Sequence, residues 1–213
     1  RIPGLVALLS RLGEEHAEAI GTLAFDGPRM RRDTIFRLAS MTKPVTAVAT
    51  MILVEECKLR LDEPVVAWLP ELVNRTVLRT PASPLDDVVP ANRAITLRDL
   101  LTYRSGYGEP LFFAPGSPIQ RAMIEAGLPL ATWPFAGTND ELMKTLGALP
   151  LLFQPGERWA YHMSGEILGV LVSRVADEPL GAFLRERIFE PLGMRDTDFS
   201  VPEAKTPRFA TCY

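Results

Sequence analysis

The chain has 213 residues, 47% of them apolar and 23% charged, with a formal net charge of −3. That length allows one large domain or two small ones, and with no basic run beyond Arg29, Arg31 and Arg32 it lacks the electrostatic footprint of a nucleic-acid binder. Two cysteines, Cys57 and Cys212, and two histidines, His16 and His162, make neither a disulfide framework nor a metal site, and no apolar run reaches the length of a membrane span.

Residues 2–10 and 17–25 are apolar and β-compatible around a polar stretch holding Gly13, which predicts a β-hairpin. A short apolar run follows at residues 35–38. From Thr42 to Cys57 the apolar side chains Val45, Val48, Ala49, Ile52 and Leu53 recur at helical spacing, with Pro44 in the first turn, where its missing N–H costs nothing. Cys57 closes that pattern and is expected to be a buried thiol. Asp62-Glu63-Pro64 starts a short amphipathic segment, and three prolines mark residues 79–90 as loop.

Thr96 reads as the cap of a helix through Thr102. Residues 107–135 are rich in Pro, Gly and aromatics and are expected to form a long loop, of the kind that carries function. Helices are predicted over residues 139–149, from Ser164 through Val175, and over residues 179–189. Strands first and helices after argue for an α+β fold, an antiparallel sheet flanked by helices plus an all-helical region. The expected division is residues 1–39 as N-terminal strands, 40–175 as the mainly helical region with the long loops, and 176–213 as a return helix and the start of a further α/β part.

Ser40-Met41-Thr42-Lys43 carries the most chemistry. On a helix, positions three apart share a face, so the Ser40 hydroxyl and the Lys43 amine can meet. A serine needs a neighbouring base to become a nucleophile, and a desolvated lysine can supply one, whereas arginine cannot release its proton near neutral pH. Only four of the 23 basic residues are lysines, which gives Lys43 added interest. Ser40 also lies where a helix start gathers unpaired N–H groups, a favourable location for a developing oxyanion. No Gly-x-Ser-x-Gly elbow is present, against an α/β-hydrolase.

Five stretches together resemble the serine β-lactamase and penicillin-binding-protein superfamily in its class C-like branch, closest in character to the family VIII carboxylesterases. They are Phe36-Arg37-Leu38-Ala39-Ser40-Met41-Thr42-Lys43, Leu59-Arg60-Leu61-Asp62-Glu63-Pro64, residues 95–106 around Thr102-Tyr103-Arg104-Ser105-Gly106, Phe153-Gln154-Pro155-Gly156-Glu157-Arg158-Trp159-Ala160-Tyr161, and Ile188-Phe189-Glu190-Pro191-Leu192-Gly193-Met194. The resemblance implies a β-lactamase/transpeptidase-like fold. It makes Ser40 the acyl-accepting nucleophile, Lys43 its base partner, and Tyr161 the tyrosine of the Tyr-x-Asn motif that works with the lysine. Lys43 and Tyr161 would share protons, and either can be the base.

The sequence departs from the family pattern at two places. The asparagine of Tyr-x-Asn is Met163, which cannot donate a hydrogen bond to a substrate amide, so esters are expected over β-lactams. A Lys-Thr-Gly-like or Trp-Gly-Gly-like strand has no match, so the fold is expected to be incomplete without a C-terminal segment, on the same chain or a separate one. The resemblance therefore implies a serine hydrolase, a carboxylesterase acting on short-chain esters through an acyl-enzyme, with no cofactor and no metal. The alternatives are a β-lactamase or D-alanyl-D-alanine carboxypeptidase, and a catalytically inactive binding module. The expected partner is a small-molecule ester or amide, with Phe113, Trp133, His162 and Met163 as candidate substrate-binding residues. With no signal peptide or disulfide framework visible, the cytoplasm is favoured.

Overall fold

Strand β1 (Gly4–Arg11) runs antiparallel to β2 (Glu14–Gly21), with Arg11 opposite Glu14 and Gly4 opposite Gly21. That register leaves Leu12-Gly13 as the whole loop. Both residues have positive φ, 53° and 86°, as a two-residue turn matching the twist of its strands requires. Gly13 suits the conformation and Leu12 does not. In this computed structural model the described residues are 2–108, 114–128 and 135–213.

The chain divides into two compact units, Arg1–Thr42 with Phe189–Tyr213, and Lys43–Ile188. In the first, the C-terminal segment returns to the N-terminal one. The Ile35 N–H donates to the Arg208 carbonyl at 2.8 Å, and the Ala210 N–H donates to the Ile35 carbonyl at 2.9 Å. Leu23, Met30 and Ala210 form a small buried cluster, with Val6 packed against it. The Arg208 guanidinium grips Asp196 through two contacts of 2.8 Å and lies beside the Asp33 carbonyl, also at 2.8 Å.

The second unit is largely helical. Helix α1 (Thr42–Glu55) buries Thr46, Ala49, Thr50 and Leu53; of the predicted apolar stripe Ala49 and Leu53 are buried, Val45 and Ile52 are half-buried, and Val48 is exposed. It ends in a left-handed residue, Cys57, with the Lys58 N–H returning to the Leu53 carbonyl. Glycine usually holds such a position. Cys57 is exposed there, contrary to the expected buried thiol, because it lies beyond the packed stripe. Residues 59–72, with the predicted short amphipathic segment, hold two single-turn 3-10 helices, Val65–Ala67 and Pro70–Leu72.

Strand β3 (Thr76–Leu78) pairs antiparallel with β4 (Val88–Pro90), so the proline-marked loop ends in a strand, with its proline at the terminus of the ladder. Helix α2 (Leu97–Leu101) opens on the predicted cap: Thr96 and Asp99 form a capping box. Helix α3 (Pro118–Glu125) lies within the stretch expected to be loop, capped by Ser117 with Pro118 in its first turn.

Helix α4 (Asn139–Ala148) starts on a second capping box, Thr138 with Glu141. Helix α5 (Met163–Ala176) buries Ile167, Leu168, Leu171 and Val172, and packs on α2 and on α6 (Leu180–Leu184). A π-helical turn, Arg185–Phe189, follows α6 where a continuous helix was expected. Arg174 ties α5 to Glu71, at 2.8 and 2.9 Å, and to Asp140 of α4 at 2.7 Å. The described residues are thus mixed α+β, two small antiparallel sheets with helices, as the order of strands and helices predicts. None of their helices is long and apolar enough to cross a membrane.

Candidate active site

Ser40 sits in a single 3-10 turn, Ala39–Met41, immediately before α1. The Thr42 N–H closes that turn on the Ala39 and Ser40 carbonyls. Ala39 has φ 45°, a left-handed conformation that costs a non-glycine residue about 1–3 kcal/mol. Ser40 itself is exposed and Lys43 is half-buried.

The second unit brings Lys43 and Tyr161 together. The Lys43 Nζ lies 5.0 Å from the centroid of the Tyr161 ring, within the range of a cation–π contact. Two further aromatics flank that ring. Tyr103 stacks on it at 6.1 Å with 16° between the planes, and Trp159 at 6.0 Å with 28°. Trp159 is 55% exposed, so an aromatic face beside the lysine–tyrosine pair is open in this unit.

The segment that carries Tyr161 is held by backbone bonds to the segment after α2. Leu152 donates to Gly106 at 2.9 Å, Gly156 to Arg104 at 2.7 Å, and Ala160 to Tyr103 at 2.8 Å. The Ser105 and Ser164 hydroxyls, both buried, meet at 2.9 Å. Ser164, where the predicted helix opens, makes this cross-segment bond, and α5 begins one residue earlier. Below, Asp99 is 5% exposed and takes Arg93 in a two-pronged ion pair at 2.5 and 2.8 Å. Burial pushes the Asp99 carboxyl up, but the Arg93 and Thr96 hydrogen bonds outweigh it and hold the group below the usual carboxylate range.

Tyr161 leads into α5 through an unusual residue. His162 has φ 93° and ψ −73°, and its carbonyl accepts the Gly165 N–H at 3.0 Å. This tight-turn conformation is costly for a non-glycine residue. The His162 ring is buried, 6.0 Å from that of Tyr161. Met163 is fully buried at the start of α5. Phe113 and Trp133 lie outside the described residues. Among the described residues no group of three or more His, Cys, Asp or Glu is arranged to hold a metal ion.

Sequence reasoning passed over Tyr103 and Gly165. A side-chain carbon built on Gly165 would lie 2.8 Å from the Tyr103 hydroxyl and 3.3 and 3.4 Å from Cγ and Cε of Lys43. Burial, with Tyr161 and Glu166 adding to it, pushes the Tyr103 phenol up to about 12. Tyr103 also has φ 57°, rare for a bulky residue.

A family profile described as Beta-lactamase matches residues 1–213. The chain belongs to the Beta-lactamase family. It is 46% identical over 189 residues to an uncharacterized protein of Mycobacterium tuberculosis, covering 88% of this chain and 44% of that one. It is 38% identical over 216 residues to Esterase EstB of Burkholderia gladioli, covering 100% of this chain and 50% of EstB. Among solved structures it is similar to EstCE1, a hydrolase with promiscuous acyltransferase activity, at 30% identity and a TM-score of 0.83, covering all of this chain and 52% of that one. The chain thus spans about half the length of the curated relatives it matches, and its resemblance to the esterase branch of the Beta-lactamase family holds over that half.

Proposed function

We propose that this chain carries the nucleophile and proton-transfer residues of a serine hydrolase that cleaves carboxylic esters of short acyl chains through an acyl-enzyme. The observation that carries the reading is the Lys43 Nζ held 5.0 Å from the Tyr161 ring centroid, on the helix that opens three residues after the Ser40 turn begins. Similarity to an esterase and to a hydrolase with acyltransferase activity supports it.

In this reading the Ser40 Oγ attacks the ester carbonyl carbon and its proton passes to the Lys43–Tyr161 pair. The tetrahedral intermediate collapses, the carbon–oxygen bond to the alcohol breaks, and the alcohol leaves with that proton. Water then attacks the acyl-Ser40 ester, gives a proton to the same pair and releases the acid as the Ser40 Oγ is reprotonated. The Ser40 N–H contributes an oxyanion donor, a type of group whose loss costs about 10²–10³ in rate. In this reading either Lys43 or Tyr161 takes the Ser40 proton, with the other as its partner.

Met163, buried where the family motif has asparagine, favours esters over amides and β-lactams, because a thioether gives no donor to a substrate amide. The test is labelling of the full-length protein with a fluorophosphonate probe, followed by turnover of p-nitrophenyl butyrate and nitrocefin. The expected result is a covalent adduct on Ser40, with ester turnover far above nitrocefin turnover. Comparable nitrocefin turnover would favour a β-lactamase, and absence of labelling would leave a binding module.

A further inference from the structure

Gly165 lies in the first turn of α5, four residues after Tyr161. Its backbone is helical, where alanine is the better residue, so the helix by itself does not call for glycine. What glycine provides is room. A side-chain carbon there would meet the Tyr103 hydroxyl at 2.8 Å and the Lys43 stem at 3.3 and 3.4 Å. The tip of one residue and the methylenes of the other rest on the same bare patch of helix backbone.

Tyr103 is held at this patch from several sides. Its carbonyl accepts the Ala160 N–H at 2.8 Å, one residue before Tyr161. Its ring is near-parallel to that of Tyr161. Its backbone is kept at φ 57°, a conformation that a bulky side chain holds only where its surroundings over-determine it. Tyr161 and Glu166 are the titratable groups whose charge acts on the phenol, which stays protonated at neutral pH and remains able to donate a hydrogen bond.

We infer that Gly165 and Tyr103 are positioning residues for the Lys43–Tyr161 pair: the notch at Gly165 seats the lysine stem and the Tyr103 hydroxyl together, and the Tyr103 ring sets the tilt of Tyr161. The inference rests on the reading of Lys43 and Tyr161 as the proton-transfer pair. Small displacements of such a pair are costly in rate, since about 1 Å of misplacement can cost 10²-fold. It adds two residues to the site that touch no substrate and act through Lys43 and Tyr161.

The experiment compares Gly165→Ala, Tyr103→Phe and the double variant in the full-length protein. It measures kcat, KM and the pH profile with p-nitrophenyl butyrate, and Tm. Gly165→Ala should lower kcat by about 10–100-fold with KM changed less than about threefold, and should move a limb of the pH profile. Tyr103→Phe, which keeps the ring and removes the hydroxyl, should lower kcat by about 3–10-fold and move the same limb. Because both act through one notch, the double variant should be no worse than Gly165→Ala alone.

Losses that multiply in the double variant, or unmoved pH profiles in both single variants, overturn the inference. If Gly165→Ala does not fold, Tyr103→Phe decides alone, and an unmoved profile with unchanged kcat overturns it. Lys43→Ala and Tyr161→Phe serve as controls. Full activity in both would sink the reading of the pair itself, whereas loss in both beside a wild-type Gly165→Ala would sink only the positioning role.

Discussion

The Lys43 ammonium nitrogen stands 5.0 Å from the centre of the Tyr161 ring, and the methylenes of the same lysine lie against Gly165, four residues further along the chain from Tyr161. One segment therefore contacts both the head and the stem of the lysine. A ring face attracts a cation, by about 0.5–1 kcal/mol at an accessible site. That attraction would serve arginine as well as lysine, which separates charge from proton transfer. If Lys43 moves a proton, Lys43→Arg should lower kcat by about 10²–10⁴-fold, because a guanidinium does not deprotonate near neutral pH. Steady-state ester hydrolysis, with circular dichroism to verify folding, checks this. Arginine activity near wild type would assign Lys43 an electrostatic role only.

The hairpin turn offers a stability test away from the site. Leu12 is 95% exposed and holds φ 53°, so it pays for a left-handed backbone and gains no burial. Asparagine tolerates that region and is favoured in such turns. Leu12→Asn should raise stability of the first unit by about 0.5–1 kcal/mol, with unchanged ester turnover. Urea unfolding followed by hydrogen exchange of the β1 and β2 amides reads the effect, and an unchanged or lowered protection would count against it.

Asp99 should give acid sensitivity. Its carboxyl is held below the unfolded value, so its contribution is fully present above that value and is lost as pH falls through the folded one. The window therefore opens below about pH 4, the ordinary carboxylate range. Glu71, held down by Arg174, acts in the same direction. Asp99→Asn should cost about 1–3 kcal/mol at neutral pH, since it leaves Arg93 without its charged partner and weakens the Thr96 cap. It should also flatten the dependence of the urea midpoint on pH below about 4. A slope equal to that of wild type would show that other carboxylates carry the effect.

At the alkaline end, Tyr107 is the corresponding group. It is buried, donates its hydroxyl to the Leu146 carbonyl at 3.0 Å, and burial pushes it up to about 12. The unfolded chain ionises this phenol near 10 while the folded chain keeps it neutral. The unfolded state then binds fewer protons, so stability falls as pH rises from about 10 to 12. Tyr107→Phe should cost about 1 kcal/mol at pH 7 and reduce the alkaline loss, leaving the part that belongs to Tyr103. Unfolding midpoints between pH 8 and pH 11, compared for the two proteins, test it; parallel curves would refute the assignment.

Features written in a few adjacent residues were open to reading without any fold. The hairpin follows from apolar stretches around Gly13, α1 from the apolar stripe behind Pro44, and α2 from Thr96 and Asp99, because torsion preferences and caps act over one turn. Ser40 and Lys43 stand out for the same reason, as a short motif at fixed spacing, and Tyr161 through the resemblance to the family's Tyr-x-Asn motif; the proposed function rests on all three. The tertiary structure decided what depends on partners distant in the chain. Pro84 and Pro90 hid β4, whose pairing with β3 sets its extended form, and the prolines and glycines around α3 masked a helix that Ser117 and Pro118 begin. Ser164, the first residue of a predicted helix, is one half of a buried hydroxyl pair with Ser105. Tyr103 beside Tyr161, and the bare backbone of Gly165 beneath Lys43, leave no local pattern at all, since a contact between segments far apart in sequence is chosen by which shapes fill the same space.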